Sequence, residues 1–187
     1  TTYTVAVINT SGCTSTVSKA VTVTVNDVPA TPSISHSVSL TFCKGGSVTL
    51  SVTHEGGNTY QWYSKGVVID GALSNTYLVT NQAVGSTSYT VAVINTSGCT
   101  STVSDALTVT VNDVPATPSI SHSGSLTFCA GGSVTLSVTH VSGNTYQWYS
   151  KGVVIGGALS NTYLVTNQAL GSTSYTVAVI NTSGCTS

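Results

Sequence analysis

Charge is the scarcest property of this 187-residue chain. Only nine side chains are Lys, Asp or Glu, arginine and methionine are absent, and the net charge is -1. A soluble domain is usually about one-quarter charged, so here the surface must be built from Ser, Thr, Asn, Gln and Gly. Nucleic acid is excluded as a partner, because that affinity rests on several Lys/Arg phosphate contacts. Electrostatic capture of an anionic membrane is excluded on the same ground. No apolar run reaches 18 residues, so direct membrane insertion is not expected, and no export signal is present. The chain starts and stops inside a repeat, at Thr1-Thr2-Tyr3 and Thr186-Ser187. It reads as a window on a longer protein, in which a missing signal carries no weight.

What the chain does have is repetition. Tyr60-Gln61-Trp62-Tyr63 returns as Tyr146-Gln147-Trp148-Tyr149, 86 residues later. The same offset joins Tyr3, Tyr89 and Tyr175, and Cys13, Cys99 and Cys185. Residues 28–101 and 114–187 differ at six positions: Val38/Gly124, Lys44/Ala130, Glu55/Val141, Gly56/Ser142, Asp70/Gly156 and Val84/Leu170. Such a period overrides length as a guide to domain count. The expected division is the closing hairpin of one repeat (1–27), a complete repeat (28–113), and a repeat lacking its last strand (114–187). Val28-Pro29-Ala30-Thr31-Pro32 marks the first junction, where two prolines make a short, stiff connection.

Within a repeat the pattern is that of short strands. Residues 47–52 and 107–111 alternate apolar and polar, Gly45-Gly46, Lys65-Gly66 and Asp70-Gly71 are turn chemistry, and no helical period occurs. Seven to nine short strands with frequent turns predict an antiparallel β-sandwich, with Trp62 and Trp148 carried into its core.

The five cysteines form two equivalent pairs and one left over. Cys43 and Cys99 fall in one repeat, and Cys129 and Cys185 in the next, each pair 56 residues apart. The expected bonds are Cys43–Cys99 and Cys129–Cys185, with the partner of Cys13 lying before residue 1. One staple per repeat suits an 86-residue unit with a modest core and places the protein in an oxidising compartment. The cysteines lack the short spacing zinc requires.

Cys43, Trp62, Tyr89 and Cys99, in that order, resemble an immunoglobulin-fold domain. More closely, residues 42–50, 60–63 and 89–99 resemble the Ig-like repeats of large secreted surface proteins of Bacteroidota. That resemblance implies tandem Ig-like sandwiches in long extracellular arrays, as stalks, filaments or adhesins, in some cases tied to gliding. It also exposes a departure from antibody domains. Leu50 and Val91 stand where the core cysteines would be, so packing of Leu50 and Val91 against Trp62 replaces the inter-sheet bond. Leu136, Val177 and Trp148 are the copies. Tyr89 and Tyr175 are expected in the core, with a tyrosine-corner hydrogen bond at Tyr89. The disulfide moves to one end of the sandwich.

Catalytic and metal chemistry find no residues to use. His36, His54, His122 and His140 stand in Ser/Thr-rich contexts without cysteine or carboxylate clusters. Asp70 and Glu55 become Gly156 and Val141, so neither belongs to a shared Ser-His-Asp device. No phosphate-loop, dinucleotide or zincin motif occurs. Asn26-Asp27 and Asn112-Asp113 offer one acid per junction, thin for calcium. Asn95-Thr96-Ser97 fits a glycosylation sequon but reads as a turn. The sequence therefore predicts a non-enzyme without cofactors, whose partners are neighbouring repeats of the same protein or a homo-polymer. The main role expected is a mechanical spacer, stalk or filament segment on the outer surface. The alternatives are an adhesive module that grips glycan or protein through exposed Tyr60, Tyr63 and Tyr77, and a self-assembling fibre.

Overall fold

The computed structural model describes residues 1–187 as an all-β protein. Strands β1 (Thr2–Tyr3) and β2 (Val21–Thr22) precede the first full repeat. That repeat holds β3 (Ser35–His36), β4 (Thr41–Cys43), β5 (Ser47–Ser51), β6 (Thr59–Ser64), β7 (Val67–Val68), β8 (Thr76–Thr80), β9 (Gly85–Ile94) and β10 (Leu107–Asn112). The second holds β11 (Ser121–Ser123), β12 (Ser133–Ser137), β13 (Thr145–Ser150), β14 (Val153–Val154), β15 (Thr162–Thr166) and β16 (Tyr175–Ile180). The sheets run β4-β10-β9-β6-β7 and β3-β5-β8 in the first repeat, and β14-β13-β16 and β11-β12-β15 in the second.

By contacts the chain divides into two compact units that do not follow the sequence repeat. One comprises Thr1–Ser35, Leu50–Tyr77 and Ser88–Leu107; the other comprises His36–Thr49, Leu78–Thr87 and Thr108–Ser187. The second unit thus joins three segments of the first repeat, 36–49, 78–87 and 108–113, to all of the second.

In the second unit, period-two alternation puts Val134 and Leu136 of β12, Tyr146 and Trp148 of β13, Val165 of β15 and Val179 of β16 into one buried cluster. Phe128, Tyr163, Tyr175 and Val177 pack on it while remaining half-exposed. Tyr175 and Val177 lie on β16, which is an edge strand. Beside it a cleft of about 390 Å³ opens between Phe128, Leu136, Val165, Leu170 and Tyr175. No strand pairs with the outer edge of β16 in this sheet, and its two outer core positions, Tyr175 and Val177, are only half-buried. The first repeat does have β10, which runs parallel to β4 with Thr110, Val111 and Asn112 opposite Thr41, Phe42 and Cys43.

In the first unit, β6 pairs antiparallel with β9, placing Trp62 directly opposite Val91. Leu50, Trp62, Val91 and Tyr89 are all fully buried. The Trp62 indole donates to Ser74 O at 2.8 Å and stacks on Tyr77, ring centroids 5.9 Å apart. The corner hydrogen bond belongs to Tyr60, not Tyr89. Tyr60 Oη accepts from the Glu55 amide at 3.1 Å and donates to Thr53 O at 3.2 Å. The Tyr89 hydroxyl is buried without a partner, since Ser64 approaches it without completing a hydrogen bond. Burial, then the neighbouring Tyr77, push the Tyr89 phenol above its ordinary value of 10.0, against a smaller lowering by Ser64.

Candidate functional site

The chemistry of this chain concentrates where one repeat hands over to the next. The turn after β9 is built by its asparagine. Asn95 Oδ1 accepts the Ser97 and Cys99 amides at 3.1 and 2.9 Å, while Gly98, at φ +77°, closes the turn. Asn181 repeats this, accepting the Ser183 and Cys185 amides at 3.0 and 2.9 Å. With its carbonyl oxygen consumed, each asparagine turns its Nδ2 outward to a junction carbonyl: Asn95 to Asp27 O at 2.8 Å, and Asn181 to Asp113 O at 2.9 Å. The sequon is therefore a structural turn that anchors the hairpin to the incoming linker.

The other half of the site is β4. Its pairing with β10 sets Cys43 opposite Asn112, and the Lys44 amide donates to Asn112 O at 2.8 Å. The chain turns at once through Gly45, at φ +91°, and Gly46, whose amide donates to Cys43 O at 2.9 Å. A Cβ at Gly46 would lie 2.9 Å from the Phe42 ring, so only glycine fits there.

Asn112 and Asp113 are consecutive. One stands level with Cys43, and the other holds the turn that carries Cys185. The two cysteines are thereby brought to a Cα–Cα distance of 5.6 Å and are bonded to one another. Cys185 is buried, whereas Cys13, Cys99 and Cys129 are thiols.

This corrects the pairing expected from spacing. Cys43–Cys99 and Cys129–Cys185 do not form; the bond is Cys43–Cys185. The reason lies in β10. Cys99 belongs to the turn before β10 begins, and Cys43 stands level with its last residue. Six residues at about 3.3 Å each span roughly 20 Å, far outside the 4.4–6.8 Å a disulfide can bridge. The same-repeat partner is at the wrong end, and the next repeat's hairpin is at the right one. The disulfide does sit at an end of the sandwich, but it crosses the junction.

Other candidate residues take local roles. Asp113 Oδ1 accepts the Val114 amide at 3.0 Å, so the one junction acid is turned to its own backbone. His36 and His122 bond carbonyls two residues on, at 2.8 and 2.9 Å. No three His, Cys, Asp or Glu side chains gather closely enough to hold a metal. Tyr60 and Tyr146 are buried and Tyr77 and Tyr163 stack against the tryptophans, whereas Tyr63 and Tyr149 stay half-exposed, so the expected aromatic cluster is reduced to one ring per repeat. Sequence reasoning missed Ser101 and Ser104. Their hydroxyls accept the Val93 and Val91 amides at 3.0 and 3.1 Å, standing in for a strand beside β9. The signal was present in the copies Ser15, Ser18 and Ser187, which accept the Val7, Val5 and Val179 amides.

The family comparison agrees with this architecture. The family described as "Ig-like domain CHU_C associated" matches residues 29–112 and 115–187. Among solved structures, the fibronectin(III)-like modules of Clostridium thermocellum CbhA are 15% identical, with a TM-score of 0.46 over 83% of this chain and 89% of that one. The human OSCAR ligand-binding domain is 16% identical, with a TM-score of 0.35 over 83% and 92%. Both superpositions are too loose to carry an argument. No curated protein matches the sequence. The family matches cover most of the chain, at the two stretches that hold a buried tryptophan and a clasp cysteine. The chain belongs to the CHU_C-associated Ig-like domains, a repeat type typical of extracellular and cell-surface proteins of the Bacteroidota gliding and adhesin type.

Proposed function

We propose that this stretch is a spacer, a length of stalk that holds more distal parts of a surface protein away from the cell. It comprises the closing hairpin of one repeat (1–27), a complete repeat (28–113) and a repeat without its last strand (114–187). The observation that carries this reading is the Cys43–Cys185 bond, which joins successive repeats covalently in parallel with their linker. Near-identity of the repeats supports it, because each added unit brings length while its neighbour contacts stay the same. The burial of Tyr60 and Tyr146 and the stacking of Tyr77 and Tyr163 on the tryptophans support a spacer over a glycan-gripping module, since of the strand tyrosines weighed for binding only Tyr63 and its copy Tyr149 are left half-exposed without a stacking partner. Electron microscopy of the natively secreted protein tests the reading. Isolated beaded strands projecting from cells are expected. Continuous filaments with a subunit repeat of one or two sandwiches would overturn it and make assembly the function.

A further inference from the structure

The bonded cysteines are 142 residues apart in a chain that repeats every 86, so the clasp encloses more than one repeat. Inside the loop lie Cys129, the copy of Cys43, and Cys99, the copy of Cys185. The seat that holds Cys185 is already built around Cys99, through the Asn95 turn and its bond to Asp27 O. Cys99 Sγ lies 3.9 Å from Asn26 O. Asn26 is the copy of Asn112, the residue level with Cys43. The Cys99 thiol therefore faces the spot where a preceding repeat carries its own copy of Cys43.

We propose that the clasp is a register that runs along the array. Each repeat sends its copy of Cys43, the residue that ends β4 in the first repeat, forward to the hairpin of the next repeat. Where repeats flank this stretch, Cys99 bonds backward and Cys129 bonds forward, each to a cysteine 142 positions away. The inference rests on the stalk reading and gives that stalk a mechanical property. Each clasp forms by thiol–disulfide exchange with an oxidised dithiol partner. Two thiols lose two protons and two electrons to form S–S, and the partner's disulfide is reduced to two thiols.

Because the register is longer than the repeat, consecutive loops overlap. From Cys185 to the next residue equivalent to Cys43 is 30 residues, two repeat lengths of 172 less the 142 inside the loop. Under tension a fully unfolded pair of repeats yields those 30 residues, about 100 Å of slack at roughly 3.4 Å each. Without clasps it would yield all 172, about 600 Å. Bonds within each repeat would leave 60 residues, about 200 Å. Overlap makes the tether resist lengthening even when its sandwiches unfold.

The test is single-molecule pulling on the 187-residue chain held at its two ends, before and after a dithiol reductant. Reduction should release 142 residues in one step, roughly 480 Å of contour. Two steps of 56 residues, or no gain, would overturn the register. Cys43→Ser should abolish the gain and Cys99→Ser should leave it whole; a gain lost in Cys99→Ser sinks the proposal. In the natively secreted protein, denaturing alkylation without reductant should leave Cys99 and Cys129 unlabelled, with Ala130 distinguishing the Cys129 peptide from that of Cys43. Labelled thiols, or links between separate chains on a non-reducing gel, would overturn it. Filaments with an intact 142-residue lock would remove the stalk reading alone. Beaded stalks with two 56-residue locks would remove the register alone.

Discussion

Residues 3–25 and 89–111 differ only at Lys19/Asp105 and Val21/Leu107, yet they occupy opposite environments. Tyr3 is 59% exposed and Tyr89 1%; Val25 is 91% exposed and Val111 3%. The first copy keeps two-residue strands, whereas the second forms the ten-residue β9 and six-residue β10. The turns are the same in both, with Asn9 accepting the Ser11 and Cys13 amides as Asn95 accepts those of Ser97 and Cys99. Local chemistry therefore makes the turn anywhere, whereas the strands need β4 and β6 on either side before their alternation becomes a buried face. The third copy is intermediate: β16 has β13 on one side and no strand on the other, and Val177 stays half-buried where Val91 is covered.

Four perturbations break or sharpen that comparison. The largest effect is expected from Cys43→Ser or Cys185→Ser, which frees a 142-residue loop. Loop-closure entropy puts the loss at about 5 kcal/mol, read as a lower denaturation midpoint that matches the reduced wild type. Trp62→Ala should cost about 3–5 kcal/mol and bring 89–111 to the condition of 3–25. Amide exchange would show it as lost protection in β6 and β9 with β13 and β16 unchanged; equal loss in both repeats would refute separate cores. Asn181→Ala removes one side chain's bonds to Ser183, Cys185 and Asp113. A loss of about 1–2 kcal/mol in thermal melts is expected, with faster reduction of the clasp, whereas Asn9→Ala should leave the melt unchanged.

The smallest effect concerns Tyr89. Its folded pKa is raised by burial, so the protonated phenol is the form the fold favours. The stability this contributes is fully present below pH 10 and is lost as pH rises through the folded pKa. Tyr89→Phe should remove that alkaline loss in the first repeat. It should also raise stability near neutral pH by about 1 kcal/mol, because it deletes a buried hydroxyl without a partner. A destabilised Tyr89→Phe would mean that the hydroxyl is bonded.

Much of the architecture was legible because it is written in short-range pattern. Alternation in residues 47–52 marks β5, Gly45-Gly46 marks the turn into it, and the tryptophan at 62 marks a core strand; each needs only neighbours within a few residues. The all-β sandwich follows from those signals and the period. The serines at 101 and 104 were missed because a side chain that substitutes for a ladder partner breaks the alternation it completes. The tyrosine corner was misassigned because Tyr60 and Tyr89 lie in adjacent strands, and only the loop 53–55 decides which hydroxyl finds a backbone partner.

The sequence by itself determined the fold class, the repeat, the turns and which strands carry a core face, because those depend on local sterics and on the two-residue period of a strand. Tertiary structure alone decided the cysteine pairing. Linear spacing made Cys43 and Cys99 the nearer pair, but a parallel β4–β10 ladder carries Cys43 to the exit end of its repeat, while the asparagine turn keeps each hairpin cysteine at the entry end. A disulfide reaches only a few ångströms, so which end of a strand a cysteine occupies outweighs how many residues separate it from its partner.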